Sequence, residues 1–146
     1  MANPIIEFKI KEKTDPVYAS YKSIKIAEKI GFSKTKSQEV GIIISELGTN
    51  IIKYGVEGTI TIYTIEENNG LKINAMDNGN GILNITLALK DNYTDQGPVY
   101  TKNGERTSRN SGSGSGSGLA AIKRLSDQLK IVTSDNGTMV ECIVYS

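Results

Sequence analysis

Glu46 and Asn50 stand one helical turn apart in the stretch SQEVGIIISELGTNIIKYG, and Lys53 follows within another turn. Spacings of three and four put these side chains on one helical face. An asparagine offers a neutral oxygen suited to a Mg2+ ion shared with nucleotide phosphates. A carboxylate beside it can orient or deprotonate an attacking hydroxyl or water. The commoner source of such a pattern is a solvated polar face opposite an apolar stripe.

A second group is DNGNGI, Asp77 to Ile82. A carboxylate at a strand end, followed by Gly79 and Gly81, permits a tight backbone path that can approach a flat ligand closely. Taken alone, the same residues are good turn chemistry. A third is NSGSGSGSGLAAIKRL, residues 110–125. Its composition is that of a flexible linker. Its context is a glycine-rich loop running into a helix, where backbone N–H groups and the helix dipole bind anions. A linker needs a domain on each side, and the 28 residues after Gly118 are fewer than an independent domain needs. The loop is not a Walker A sequence, because no GK[ST] follows, and no early GxGxxG marks a dinucleotide fold.

Composition narrows the chemistry. The chain has 146 residues, enough for one domain with a full core, and the whole of 1–146 reads as one unit. A net charge of +1 gives no global field for nucleic acid or an anionic membrane, so neither is an expected partner. No apolar run reaches the roughly 20 residues of a membrane span, and the N-terminus lacks a signal-peptide pattern. A cytoplasmic protein is the simplest expectation. The single Cys142 lies in an apolar run and reads as a small core residue. The absence of histidine excludes histidine triads, histidine metal sites and autophosphorylation on histidine.

These groups need elements to hold them. IIEFKI reads as a short strand. A helix follows from Asp15 to Gly31, with Asp15 as cap, Pro16 in its first turn and Val17, Tyr21, Ile24, Ile26 and Ile30 as its apolar face. A second helix starts near Ser37, with Val40, Ile43, Ile44, Leu47 and Ile51 facing a core, and ends at Gly55 or Gly58. GTITIYTIEE and LKINAMD form a hairpin through Asn69-Gly70. Residues 82–93 have room for a short helix, and residues 94–113 read as a long polar loop. GLAAIKRLSDQ is a helix, and LKIVTSD with TMVECIVYS closes the chain as a hairpin. The expected architecture is a two-layer α+β sandwich, a mostly antiparallel sheet covered on one face by helices.

The order of these parts resembles one family. A helix with E-x-x-x-N, a strand ending in D-x-G-x-G, a long loop ending in G-x-G-x-G-L and a final hairpin with Gly137-Thr138 are similar to the GHKL ATPase superfamily and its Bergerat nucleotide fold. Within it, ISELGTN and GSGLAAIKRLSD most resemble bacterial anti-sigma and switch-type serine kinases. The resemblance implies ATP and Mg2+ as cofactors. It implies Asn50 as metal ligand, Glu46 as general base and Lys53 near the phosphates. It implies Asp77 as acceptor for the adenine amine, with Gly79 and Gly81 passing the base and Thr138 supporting it. Gly114, Gly116 and Gly118, with Leu119, would wrap the phosphates, and residues 94–113 would be the ATP lid.

The function so implied is an ATP-dependent protein serine/threonine kinase. Its partner would be a small anti-sigma-antagonist-like protein, in a system that also offers a sigma factor as partner, with a homodimer left open. The alternatives are a nucleotide-gated anti-sigma factor that acts by binding alone, and the catalytic domain of a separated two-component system. A clamp ATPase of the gyrase or chaperone kind needs large transducer domains that a chain of this length does not hold.

Overall fold

The fold is described from a computed structural model, in which residues 2–54, 57–66, 69–79, 99–101, 117–134 and 136–146 are described. The strands are β1 (Ala2–Ile10), β2 (Gly58–Ile65), β3 (Gly70–Asp77), β4 (Val99–Thr101), β5 (Gln128–Ser134) and β6 (Gly137–Tyr145). The helices are α1 (Asp15–Lys29), α2 (Lys34–Tyr54) and α3 (Ser117–Leu125). The strands form one sheet in the order β1-β2-β3-β6-β5-β4, and every pairing is antiparallel. This is the expected α+β architecture.

Period-two alternation decides which face is covered. Phe8 and Ile10 on β1, Ile60 and Ile62 on β2, Leu71, Ile73 and Ala75 on β3, and Val140, Cys142 and Val144 on β6 are all buried. Their neighbours on the other face, such as Lys72, Asn74 and Met76, are at least partly open to solvent. Against the buried face pack Val40, Ile43, Ile44, Leu47 and Ile51 of α2 and Leu119 and Ile122 of α3. Cys142 is fully buried, and burial pushes its thiol up to about 12, which suits a small core residue.

Helix α2 starts one turn before the expected Ser37. Ser33 Oγ accepts a hydrogen bond from the Lys36 N–H at 3.1 Å, a serine cap that satisfies an orphan donor of the first turn. Its apolar stripe is the one the sequence predicts.

Helix α1 corrects two expectations. Asp15 does not cap it: Thr14 occupies the cap position without a side-chain bond, and Asp15 Oδ2 accepts from the N–H groups of Lys11 and Glu12, each at 2.8 Å. These bonds hold its carboxyl below the usual range. The apolar face also differs. The buried residues are Pro16, Ala19, Ser23 and Ala27, while Val17 is 69% exposed and Tyr21 57%. The reason is close packing against α2. A Cβ on Gly41 would lie 2.6 Å from Ile24, and one on Gly48 would lie 2.7 Å from Pro16. Helices this near leave little room between them: Ile24, as expected, lies inward over Gly41, while Val17 and Tyr21 turn outward. Ser20 Oγ ties the pair by donating to the Gly41 carbonyl at 2.8 Å. Gly31 stops α1 at a φ of +108°, as its sequence position implies.

The third helix ends at Leu125, and the Gln128 read into it begins β5 instead. Within the span read as a continuous loop, Val99–Thr101 is a strand, paired with Lys130–Val132 of β5. The rest of 94–113, and the short helix expected over 82–93, lie outside the described residues.

Candidate functional site

Glu46, Asn50 and Lys53 lie along the C-terminal half of α2, on the flank away from its buried stripe. Glu46 and Asn50 are half-buried and Lys53 is exposed in the last turn. The helix that meets this flank is α3. Leu119 and Ile122 anchor it in the core, both almost fully buried. That anchoring brings Gly118, in the first turn of α3, directly against the polar flank of α2. A Cβ on Gly118 would lie 2.7 Å from Glu46 Oε1 and 3.8 Å from Asn50 Oδ1. Residues 46, 50 and 118 therefore meet at one point, where a carboxylate and an amide oxygen face the start of a helix.

Asp77 ends β3, in register between Gly58 of β2 and Thr138 of β6. Its Oδ1 accepts from the Gly79 N–H at 2.8 Å. Burial pushes the carboxyl above its usual range, and main-chain hydrogen bonds from Gly79 and Thr138 partly oppose that rise. Two glycines frame the residue. A Cβ on Gly58 would lie 2.2 Å from the Met76 carbonyl oxygen, and one on Gly137 would lie 2.2 Å from that of Asp77. Gly137 also adopts a φ of +138°, open in practice only to glycine. Thr138 is 4% exposed and Gly79 is buried.

The structure thus makes two groups, Glu46–Asn50–Gly118 on the helices and Asp77–Gly79–Thr138 at the sheet end. Lys53 extends the first along α2, and Leu119 supports it from the core side. Gly81, Gly114 and Gly116 lie outside the described residues. The framing roles of Gly58 and Gly137 were not read from sequence. Their signal would have been a glycine opening a strand directly opposite the D-x-G-x-G aspartate, visible only once the register is known.

The donor set bears on the metal question. Among the described residues no three of His, Cys, Asp and Glu converge as a metal cluster. A divalent ion at Asn50 would take one neutral oxygen from the protein and the rest from phosphates and water. That is the coordination habit of Mg2+ rather than of a caged structural metal. Because Gly118 has no side chain, the start of α3 comes directly against the Glu46 and Asn50 oxygens, where Asn50 Oδ1 offers the neutral ligand such an ion would take. No helix among the described residues is long and apolar enough to cross a membrane.

A two-layer fold with a carboxylate and an amide on one helix, glycine at the start of another and a framed aspartate at a strand end defines a nucleotide-binding ATPase domain of the GHKL type. The chain belongs to this family: the pattern of the histidine kinase-like ATPase domain matches residues 12–144. It is also similar to the serine/threonine-protein kinase RsbT of Bacillus subtilis (strain 168), 29% identical over 140 residues that cover 94% of this chain and 93% of the relative.

Proposed function

We propose that the chain is an ATP-dependent protein serine/threonine kinase that phosphorylates a small partner protein in a cytoplasmic partner-switching system. The observation that carries this is the contact of Gly118 with Glu46 and Asn50. It puts a candidate base within a few ångströms of the place where a helix start and an amide oxygen suit phosphates. A protein that only bound nucleotide would need no base there. The relative's name, a serine/threonine-protein kinase, agrees with this reading.

In this reading Asp77 accepts a hydrogen bond from the adenine amine, and its carboxylate is held ready by the N–H groups of Gly79 and Thr138. Gly79 lets the backbone pass the base, and Thr138 backs it from β6. Gly118 and Leu119 seat the start of α3 at the phosphates, with Gly114 and Gly116 preceding it and Lys53 adding positive charge along α2. Asn50 would hold Mg2+, which neutralises phosphate charge when bound. Glu46 takes the proton from the partner's hydroxyl as that oxygen attacks the terminal phosphorus, and the bond from that phosphorus to the bridging oxygen breaks, releasing ADP. Most of the protein's contribution is positioning, with one group orienting the nucleophile.

The test is phosphate transfer from radiolabelled ATP to candidate small partner proteins, run beside nucleotide titrations. Glu46→Ala is expected to bind Mg-ATP and to lose transfer by about 10²–10⁴-fold, the usual worth of a general base. Asn50→Ala is expected to lose Mg-dependent nucleotide binding as well. Nucleotide at about 100 times its dissociation constant should add roughly 2.7 kcal/mol of stability, and Asp77→Asn should abolish that gain. Transfer by Glu46→Ala at the wild-type rate would overturn the kinase assignment. So would a wild type that binds a partner tightly yet labels none, which would make the chain a nucleotide-gated binder.

A further inference from the structure

On the solvent side of the helix pair a depression of about 260 Å³ runs between α1 and α2. Ser20 and Ile24 of α1 line it with Gln38, Gly41, Ile42 and Glu46 of α2. It exists because Gly41 has no side chain: Ile24 lies down on that position, and the Ser20–Gly41 bond holds the two helices at this spacing. One end of the depression is therefore Glu46, the same residue that meets Gly118.

The lining mixes polar and apolar groups, and exposed apolar side chains border it. Ile42 is 45% exposed. Val17 and Tyr21 lie one turn from Ser20 and Ile24 on α1 and are still more open. Lys25 extends over the Tyr21 ring at 5.0 Å, which puts a cation at the rim. The N-terminal part of the chain, which includes α1, is basic overall. Residues 1–36 carry eight lysines against four acids, a net +4, while the remaining residues sum to −3.

We infer that the groove between α1 and α2 docks the phosphate-accepting partner protein, through an apolar, hydroxyl-bearing segment flanked by carboxylates, and delivers that hydroxyl to Glu46. This rests on the kinase reading above. Continuity decides the occupant first, since the groove and the candidate base share Glu46. Charge decides it next. A second copy of this chain would bring two lysine-rich N-terminal segments together, whereas an acidic partner meets complementary charge.

The experiment titrates the protein labelled in the transfer assay against wild type, Ile42→Glu, Lys25→Glu and a control, Lys130→Glu, on the open face of the sheet. Ile42→Glu is expected to raise the KM for the partner by about 10-fold or more, with kcat at saturating partner and the nucleotide Kd unchanged. Lys25→Glu should raise KM less, and Lys130→Glu should match wild type. An unchanged KM in Ile42→Glu overturns the assignment, as does a defect confined to kcat or nucleotide affinity. A wild type that is dimeric and an Ile42→Glu that is monomeric would give the groove to a second copy. Displacement of the partner by oligothymidine would give it to nucleic acid. If no candidate accepts phosphate, the kinase reading fails by itself, and the groove is judged by binding. Partner binding that Ile42→Glu abolishes keeps the docking surface, and a wild type that binds no candidate ends both.

Discussion

A Cβ on Gly137 would lie 2.2 Å from the main-chain carbonyl of Asp77, whereas one on Gly118 would lie 2.7 Å from a side-chain oxygen of Glu46. Both distances are too short to stand, but different things must move. At the sheet end the obstacle is backbone, fixed by the β3–β6 ladder that pairs Asp77 with Thr138. At the helix end it is the tip of a flexible carboxylate. The sheet end is therefore built by strand register, and its geometry is inseparable from the fold. The helix end is built by the seating of α3 on α2, and its geometry can change while the fold persists. If the proposed function holds, such a site keeps its adenine half rigid and leaves the half with the candidate base adjustable.

The comparison is broken most directly by adding one methyl group at each glycine. Gly137→Ala combines overpacking against a carbonyl, about 1–3 kcal/mol, with a backbone conformation that costs a further 1–3 kcal/mol or so. A loss near 3 kcal/mol should lower Tm by about 10 °C in a domain of this size, read by thermal melts without nucleotide. Gly58→Ala meets the Met76 carbonyl without the positive φ, so its loss should be smaller. Wild-type stability in Gly137→Ala would show that the sheet end is not held by contact with Asp77.

Gly118→Ala should do the reverse. Its Cβ pushes the Glu46 carboxylate aside, and Tm should stay within about 2 °C of wild type. Displacing a reacting group by about 1 Å can cost about 100-fold, so phosphate transfer should fall to that extent. A Gly118→Ala that melts as early as Gly137→Ala would place both glycines in the same structural class. One that melts and transfers normally would detach Gly118 from Glu46.

This contrast also explains what the sequence made legible. The α2 stripe from Val40 to Ile51 could be read because large aliphatic side chains at helical spacing have few other uses. The polar pair on its flank could be read because the spacing is local. The α1 face was misread because its buried residues include Ala19, Ser23 and Ala27, and its contacts with Gly41 and Gly48 are made by Ile24, Ser20 and Pro16; small residues give almost no periodic signal. Tyr21 and Val17 gave a strong one and point to solvent. The contacts that shape the site were less visible still. Gly118 meets Glu46, and Gly137 meets Asp77, across long stretches of chain. No local pattern encodes which atom a glycine must avoid; strand register and helix seating do. The family resemblance supplied residue roles, but not these reasons for them.

The smallest effect sharpens the sheet end. Burial raises the Asp77 carboxyl above its value in an unfolded chain, and the Gly79 and Thr138 hydrogen bonds only partly offset this. Between the two values the folded state binds more protons than the unfolded state. Stability contributed by this group therefore falls as pH rises through that window. The charged form carries a cost at neutral pH, kept in the proposed function for the sake of the adenine amine. Asp77→Asn removes the charge while its amide oxygen can still accept from the same N–H groups. Without nucleotide it should melt at or slightly above wild type at pH 7. That advantage should vanish as pH is lowered below the range in which Asp77 titrates, where the wild-type carboxyl is neutral too. Melts of both proteins across pH 3.5–7 measure the difference directly, because every other titrating group, Asp15 included, is common to the two. A variant less stable than wild type at pH 7 would mean the hydrogen bonds outweigh burial, and that Asp77 strengthens the sheet end rather than straining it.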